Sequence, residues 1–335
     1  MPDWLEPTVV LFPFAAWMFA GVGLPWALAL LPRALWRERV TVLAVSLALG
    51  PVGLTAAMFP LGTFGTITLG GTLAGSALVA AIGAGLAWRR AASPAHPGVA
   101  VPEPRLTRGE WLLIAGIALL LLVNVIVTAY WPFLAYDPLW VYAYNAKIFV
   151  MERAIPPDMG YYPQLVPLGY THMQQAWEAL HPGAAFNDHA ARTIIPWLNT
   201  ATVLMAYVLG RRVSGARRAG LLAAALWLFY PHVAAWYGSG DLEIPLTLYM
   251  TGAAAFFVDA WQSGRARSAV VSGVLLGGAL WTKPTGGALA LGVALAVAGW
   301  WAAHRFRPAA GWPKLRLAII AGLASAPVGG MWYLR

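Results

Sequence analysis

The sequence predicts an all-α membrane protein of about ten transmembrane helices with one long extracytoplasmic loop, and three observations carry that expectation. Sixty per cent of its 335 residues are hydrophobic and 10% are charged, against roughly 25% charged in soluble globular domains. Apolar runs recur that are long enough to cross ~30 Å of hydrocarbon, about 20 helical residues each. The basic residues sit in short clusters between those runs, so the formal charge of +9 reads as topology signals rather than as a nucleic-acid footprint.

The runs lie at about 8 to 31, 40 to 59, 67 to 88, 110 to 131, 193 to 212, 219 to 236, 243 to 262, 267 to 282, 286 to 303 and 317 to 334. The run from 267 to 282 is short and carries Gly273, Gly277 and Gly278. The N-terminus, with Asp3 and Glu6, lacks the basic region that opens a signal peptide, so the first span is expected to be retained. Cysteine is absent, which excludes disulfides, thiolate metal sites and a cysteine nucleophile.

Orientation follows from the clusters. Arg33, Arg37 and Arg39 follow the first span; Arg89, Arg90, Arg105 and Arg108 the third; Arg211, Arg212, Arg217 and Arg218 the fifth; Arg265 and Arg267 the seventh; Arg305, Arg307, Lys314 and Arg316 the ninth. All fall on one side, leaving Lys147, Arg153, Arg192, Lys283 and Arg335 on the other. By the positive-inside rule the first side is cytoplasmic and the N-terminus extracytoplasmic. The acids divide the opposite way: Asp137, Glu152, Asp158, Glu178, Asp188, Asp241 and Glu243 are outside with Asp3 and Glu6. Acids contribute little to insertion bias, so their gathering points to chemistry on the outer face of a cell membrane.

Two parts are expected. Residues 1–109 form a three-span N-terminal extension ending in a cytoplasmic linker with Ser93-Pro94 and His96-Pro97, a solvated composition. Residues 110–335 form a second module whose outer segment, 132–192, exceeds the length of an ordinary connection. Within it, Leu139 to Glu152 and Leu168 to Leu180 carry apolar and aromatic residues at helical spacing and read as short interfacial helices.

Three outer elements each bring an ionisable group to a span end: Asp137, then Asp241 with Glu243, then Lys283. Charges at that depth are costly and face a cavity or a partner. Such a set suits displacement at an anomeric carbon. One carboxylate accepts the proton of an attacking hydroxyl, and a cation, Lys147 or Lys283, steadies the departing phosphate.

The order Asp137…Lys147, Tyr162-Pro163-Gln164-Leu165-Val166-Pro167-Leu168, Gly240-Asp241-Leu242-Glu243-Ile244-Pro245-Leu246 and Leu280-Trp281-Thr282-Lys283-Pro284 resembles the GT-C glycosyltransferases of the protein O-mannosyltransferase and lipid A aminoarabinose transferase type, over about 110–335. The resemblance implies a multispan enzyme that takes a sugar from a polyprenyl-phosphate donor on the extracytoplasmic face. It implies Asp137 as catalytic base, Lys147 as a cation near the donor phosphate, Asp241 as the second outer-loop acid and Lys283 as a recurrent lysine. Three spans precede the family's usual first helix, and Pro138 follows Asp137 where the protein mannosyltransferases have a second acid. The chain stops at Met331-Trp332-Tyr333-Leu334-Arg335, at the end of a span, and so reads as a truncated or divergent member.

Other residues complete the candidate site. Tyr136, Trp140 and Tyr162, with Glu243, are candidates for contacting the sugar, and Arg192 for pairing with the phosphate, against an interfacial role for the aromatics and a headgroup anchor for the arginine. His172, His181 and His189 share the loop with acids but match no metal signature, while Asp137 with Asp241 could hold a divalent ion near a phosphate. No cofactor is otherwise implied: nucleotide fingerprints are missing, and Gly70-Gly71 and Gly277-Gly278 read as helix-contact points. The acceptor, whether lipid, protein or polysaccharide, is not legible. The alternative is a non-catalytic lipid or sugar transporter, or a binding subunit of an envelope-assembly complex.

Overall fold

The computed structural model describes residues 1–92, 105–157, 159, 163–304 and 308–334. Tyr162, Asp158 and most of the linker expected around 89–109 lie outside the described residues. Among those described there is no strand, as expected of a chain that must satisfy its backbone hydrogen bonds within each crossing segment.

Among the described residues eight helices are long and apolar enough to cross a membrane. They are α1 (Phe12–Leu30, with a π-helical turn at Trp17–Gly21), α2 (Arg39–Thr63), α3 (Leu69–Ala92), α4 (Arg108–Tyr130), α7 (Asp188–Ser214), α10 (Glu243–Ser263), α12 (Gly287–His304, the core of a span from Pro284 to Ala303) and α13 (Pro308–Tyr333). Between α4 and α7 lie α5 (Ala143–Glu152) and α6 (Leu165–Leu180), the two short helices expected in the outer loop. The glycine-bearing run becomes α11 (Ala266–Thr282), a 17-residue apolar helix.

The run at 219–236 is not one helix. It forms α8 (Arg217–Phe229) and α9 (Pro231–Trp236), joined at Tyr230 in an extended conformation. Proline disfavours the helical region for the residue before it and cannot donate to the preceding turn, so the helix stops at Phe229 and restarts at Pro231.

One apolar core runs from Leu11 to Trp281. α2 crosses its middle, buried along most of its length, while α4, α12 and α13 present mostly exposed apolar faces. Side chains of lipid-like polarity give little drive for helices to associate inside a bilayer, so contact depends on close approach. Gly50 supplies it where α1 meets α2, since a Cβ there would sit 2.2 Å from the Met18 carbonyl oxygen. Gly277 does the same against Val328 of α13, but Gly70 has open space around its Cα and Gly71 meets chiefly its own turn. The expected helix contact here is limited to Gly71, whose added Cβ would lie 3.5 Å from Leu61 of α2.

The two ends of the bundle differ. At one, Arg212 binds Glu38 and reaches Asp259 at 3.6 Å, Arg265 approaches the same aspartate at 3.6 Å, and Arg217 holds Glu110 at 3.0 Å. At the other, the outer loop docks on the turn between α2 and α3: the Ile67 N–H donates to the Arg153 carbonyl at 2.8 Å, and the Ile155 N–H to that of Gly62 at 2.9 Å. The first three spans are thus packed into the body that carries the outer loop.

Candidate active site

Asp241 stands at the centre of the outer end. It occupies the loop between α9 and α10 and is only 7% exposed. Buried side chains hold the loop's carbonyls from two directions. Asn199 of α7 donates to the Tyr237 carbonyl at 2.9 Å, Arg192 of α7 to that of Gly238 at 2.6 Å, and the Tyr170 hydroxyl of α6 to that of Gly240 at 2.8 Å. Because unpaired carbonyls at this depth cost free energy comparable to a lost hydrogen bond, these side chains fix where the acid sits. Gly240 adopts φ +83°, the left-handed region that only glycine enters cheaply, and a Cβ there would lie 2.6 Å from the Phe133 ring.

Burial pushes the Asp241 carboxyl above the ordinary carboxylate range, opposed by the Ser239 hydroxyl; Glu243 and Asp137 push it further up, and Lys283 pulls it down. Its Oδ2 is buried with no hydrogen-bond partner among the described residues. Three further sequence-predicted residues, Asp137, Glu243 and Lys283, therefore lie within electrostatic reach of Asp241.

Local sequence places each of them. Pro284 turns Lys283 out of α11 into an extended conformation, consistent with the restriction on a residue before proline. Its Nζ then lies 2.7 Å from Glu243 Oε1. Glu243 opens α10, where the helix dipole favours an anion. Asp137 is exposed and leads into the π-helical turn Pro138–Tyr142. Tyr136 and Trp140 are exposed beside it, their rings 6.4 Å apart.

Lys147 is exposed on α5 and lines a cavity of about 480 Å³ with Arg153, Gln174, Glu178 and Phe186, within electrostatic reach of Asp188. Arg192 is 1% exposed. Besides Gly238 it donates to the Thr128 carbonyl at 3.2 Å and covers the Phe133 ring at 5.1 Å, while its Nη1 is buried with no hydrogen-bond partner among the described residues. Charge alone does not distinguish such an arginine from one exposed at a span end, and neither Tyr170 nor Asn199 carries a sequence signal that sets it apart from an ordinary core residue.

The three loop histidines diverge. His172 is wholly buried against Phe14 at 6.2 Å between ring centroids, and burial pushes it down to about 4, which keeps it neutral. His181 stacks on Trp177 and reaches Glu6 at 3.5 Å, and His189 Nδ1 contacts the Ala129 carbonyl at 2.8 Å. Among the described residues no group of three His, Asp or Glu side chains is arranged to hold a metal ion.

Residues 179–332 match the family described as dolichyl-phosphate-mannose-protein mannosyltransferase. This is the GT-C type that the outer-loop motifs resemble. No curated protein and no solved structure matches the chain. The mannosyltransferase-like segment includes Arg192, Asp241, Glu243 and Lys283 but begins beyond Asp137 and Lys147, whereas the motif resemblance starts from about 110. With eight membrane-length helices among the described residues, the chain is a multi-pass membrane protein similar over this segment to GT-C glycosyltransferases.

Proposed function

We propose that the chain transfers a sugar from a polyprenyl-phosphate donor to an acceptor hydroxyl on the extracytoplasmic face of a cell membrane, with inversion at the anomeric carbon. The observation that carries this reading is the gathering of Asp137, Asp241, Glu243 and Lys283 from three elements at one end of the bundle. The acceptor O–H attacks the anomeric carbon opposite the phosphate. Its proton passes to Asp137, the exposed carboxylate of the set, as the bond from the anomeric carbon to the phosphate oxygen breaks. The phosphate leaves as an anion and draws Lys283 from Glu243, which places the cation where charge develops. Asp241, held by its loop beneath the others, sets the local field, while Tyr136 and Trp140 offer faces for the sugar. The family's description suggests a mannose donor and a protein acceptor.

Asp137→Asn tests this. Loss of a general base costs typically 10²–10⁴ in rate, so turnover with a polyprenyl-phosphate sugar should fall by at least 10² with membrane insertion unchanged. Full activity in the variant would remove Asp137 from the mechanism. Because the family match leaves Asp137 out, the rival function is that of a lipid-sugar transporter or a binding subunit. Reconstituted vesicles separate the three: the enzyme consumes donor, a transporter moves it intact across the bilayer, and a binding subunit does neither.

A further inference from the structure

At the opposite end of the bundle a cavity of about 420 Å³ opens between the start of α4, the end of α7 and the start of α8. Among the described residues Arg105, Arg211, Arg217 and Arg218 line it, and Glu110 is the one acid with them. Glu110 is already engaged: Arg217 donates to both its oxygens at 3.0 Å, and the Thr107 N–H donates to it at 2.7 Å. Arg218 also approaches Glu110 at 3.9 Å, and Arg211 approaches Glu38 at 3.9 Å, an acid that Arg212 already binds, so among the described residues the lining keeps a surplus of positive charge. A second, independent feature points the same way. α8 is 13 residues long, and its N-cap, Ala216, has no capping side chain and itself borders the cavity. The first-turn amides of such a helix and its dipole favour an anion.

We propose that this cavity binds the phosphate of an anionic phospholipid headgroup in the leaflet on the side read as cytoplasmic. A lipid fits better than a free phosphate because the cavity borders apolar surface that is exposed along the spans. Trp111 and Leu112 stand one turn into α4, and Leu119, Leu122 and Ile126 continue that exposed face; Val213 and Leu222 are exposed on α7 and α8, close in the chain to the lining residues Arg211 and Arg218. A headgroup seated among the arginines leaves its acyl chains against α4, with Trp111 at the level where indoles sit in a bilayer. Basic pockets between transmembrane helices suit anionic headgroups for this reason.

The test uses the full chain in phosphatidylcholine nanodiscs into which phosphatidylglycerol is titrated, with retained lipid counted by native mass spectrometry. Phosphatidylglycerol should be kept in preference to phosphatidylcholine, and raising the salt should erode the preference. The double variant Arg105→Gln, Arg218→Gln removes two exposed side chains and should weaken phosphatidylglycerol binding by about 30-fold. Equal retention of the two lipids, or undiminished binding by a folded double variant, would overturn the proposal. Inorganic phosphate that stabilises the detergent-solubilised chain as much as phosphatidylglycerol does would overturn it too, since the cavity would then take a soluble anion. Should the double variant not fold, the lipid preference of the unmodified chain and its salt dependence decide.

Discussion

Lys283 and Glu243 form an ion pair across the outer end of the bundle, Nζ to Oε1 at 2.7 Å, although 40 residues separate them in the chain. The pair joins the end of α11 to the start of α10 beside Asp241. Both side chains are only partly exposed, so the attraction is less screened than at an open surface. A phosphate arriving here competes with Glu243 for the ammonium. Lys283→Met is therefore expected to lower kcat/KM for the lipid-linked donor by about 10- to 100-fold, the scale of a charge-assisted hydrogen bond. Glu243→Gln leaves the cation without its competitor and should lower the donor KM. Donor-dependent initial rates check both variants, and a Lys283→Met enzyme with unaltered kinetics would detach the pair from donor binding.

Asp241 gives a prediction in pH. A carboxyl whose pKa is higher folded than unfolded holds more protons in the native state over the interval from about 3.9 up to the folded value. Stability then falls as pH rises across that interval, because ionisation is easier in the unfolded chain. Burial is the main cause of the upward shift, with Glu243 and Asp137 adding to it. Asp241→Asn removes the ionisation and should raise the melting temperature at pH 7, by a margin that shrinks towards pH 4. Its transfer activity should fall. Thermal unfolding in detergent across that range, with the wild type alongside, measures the margin; a margin that does not depend on pH would show that Asp241 titrates normally.

Arg192 leads to a prediction about architecture. Its guanidinium joins the Thr128 carbonyl at the end of α4, the Phe133 ring ahead of Asp137 and the Gly238 carbonyl ahead of Asp241. Arg192→Gln leaves buried carbonyls without their donor and should cost roughly 2–4 kcal/mol. Arg192→Lys should rescue only part of that, since an ammonium lacks the planar fork that serves separate acceptors. Chemical denaturation or thermal unfolding reads the loss. A surface headgroup anchor would instead tolerate lysine almost fully.

The division between what the sequence reveals and what it hides follows from this geometry. Span positions and the two outer helices are legible because hydrocarbon imposes length and apolarity on every crossing segment. The return of Asp137, Asp241, Glu243 and Lys283 to one end is legible for the same reason: once the spans are counted, alternation puts these residues on the same side. The break at Pro231 is visible as a proline, but an apolar run alone does not reveal that the helix stops there. What stays hidden is lateral arrangement. Lys147 is ten residues from Asp137, yet the turn at Pro138–Tyr142 and α5 carry it to a cavity with Arg153 and Glu178. Burial is hidden as well: Arg192 and Lys147 both read as outer cations, and only packing separates a buried clamp from an exposed charge.

Gly240 tests the outer site without touching any charge. Its φ of +83° costs an L-residue about 1 kcal/mol or more. The added methyl group would also press on Phe133 at 2.6 Å and approach the Tyr170 hydroxyl at 3.2 Å. Relief requires the loop to move away from α6, which breaks the bond from Tyr170 to the Gly240 carbonyl and shifts the adjoining Asp241. Gly240→Ala should therefore cost roughly 2–4 kcal/mol and depress transfer well beyond its effect on stability. Tyr170→Phe provides the calibration, because it removes that hydrogen bond, worth about 1 kcal/mol, and leaves the backbone geometry in place. Thermal unfolding and donor turnover measured together on both variants separate the two effects. If Gly240→Ala matched Tyr170→Phe in stability and activity alike, the left-handed turn would have no part in positioning Asp241.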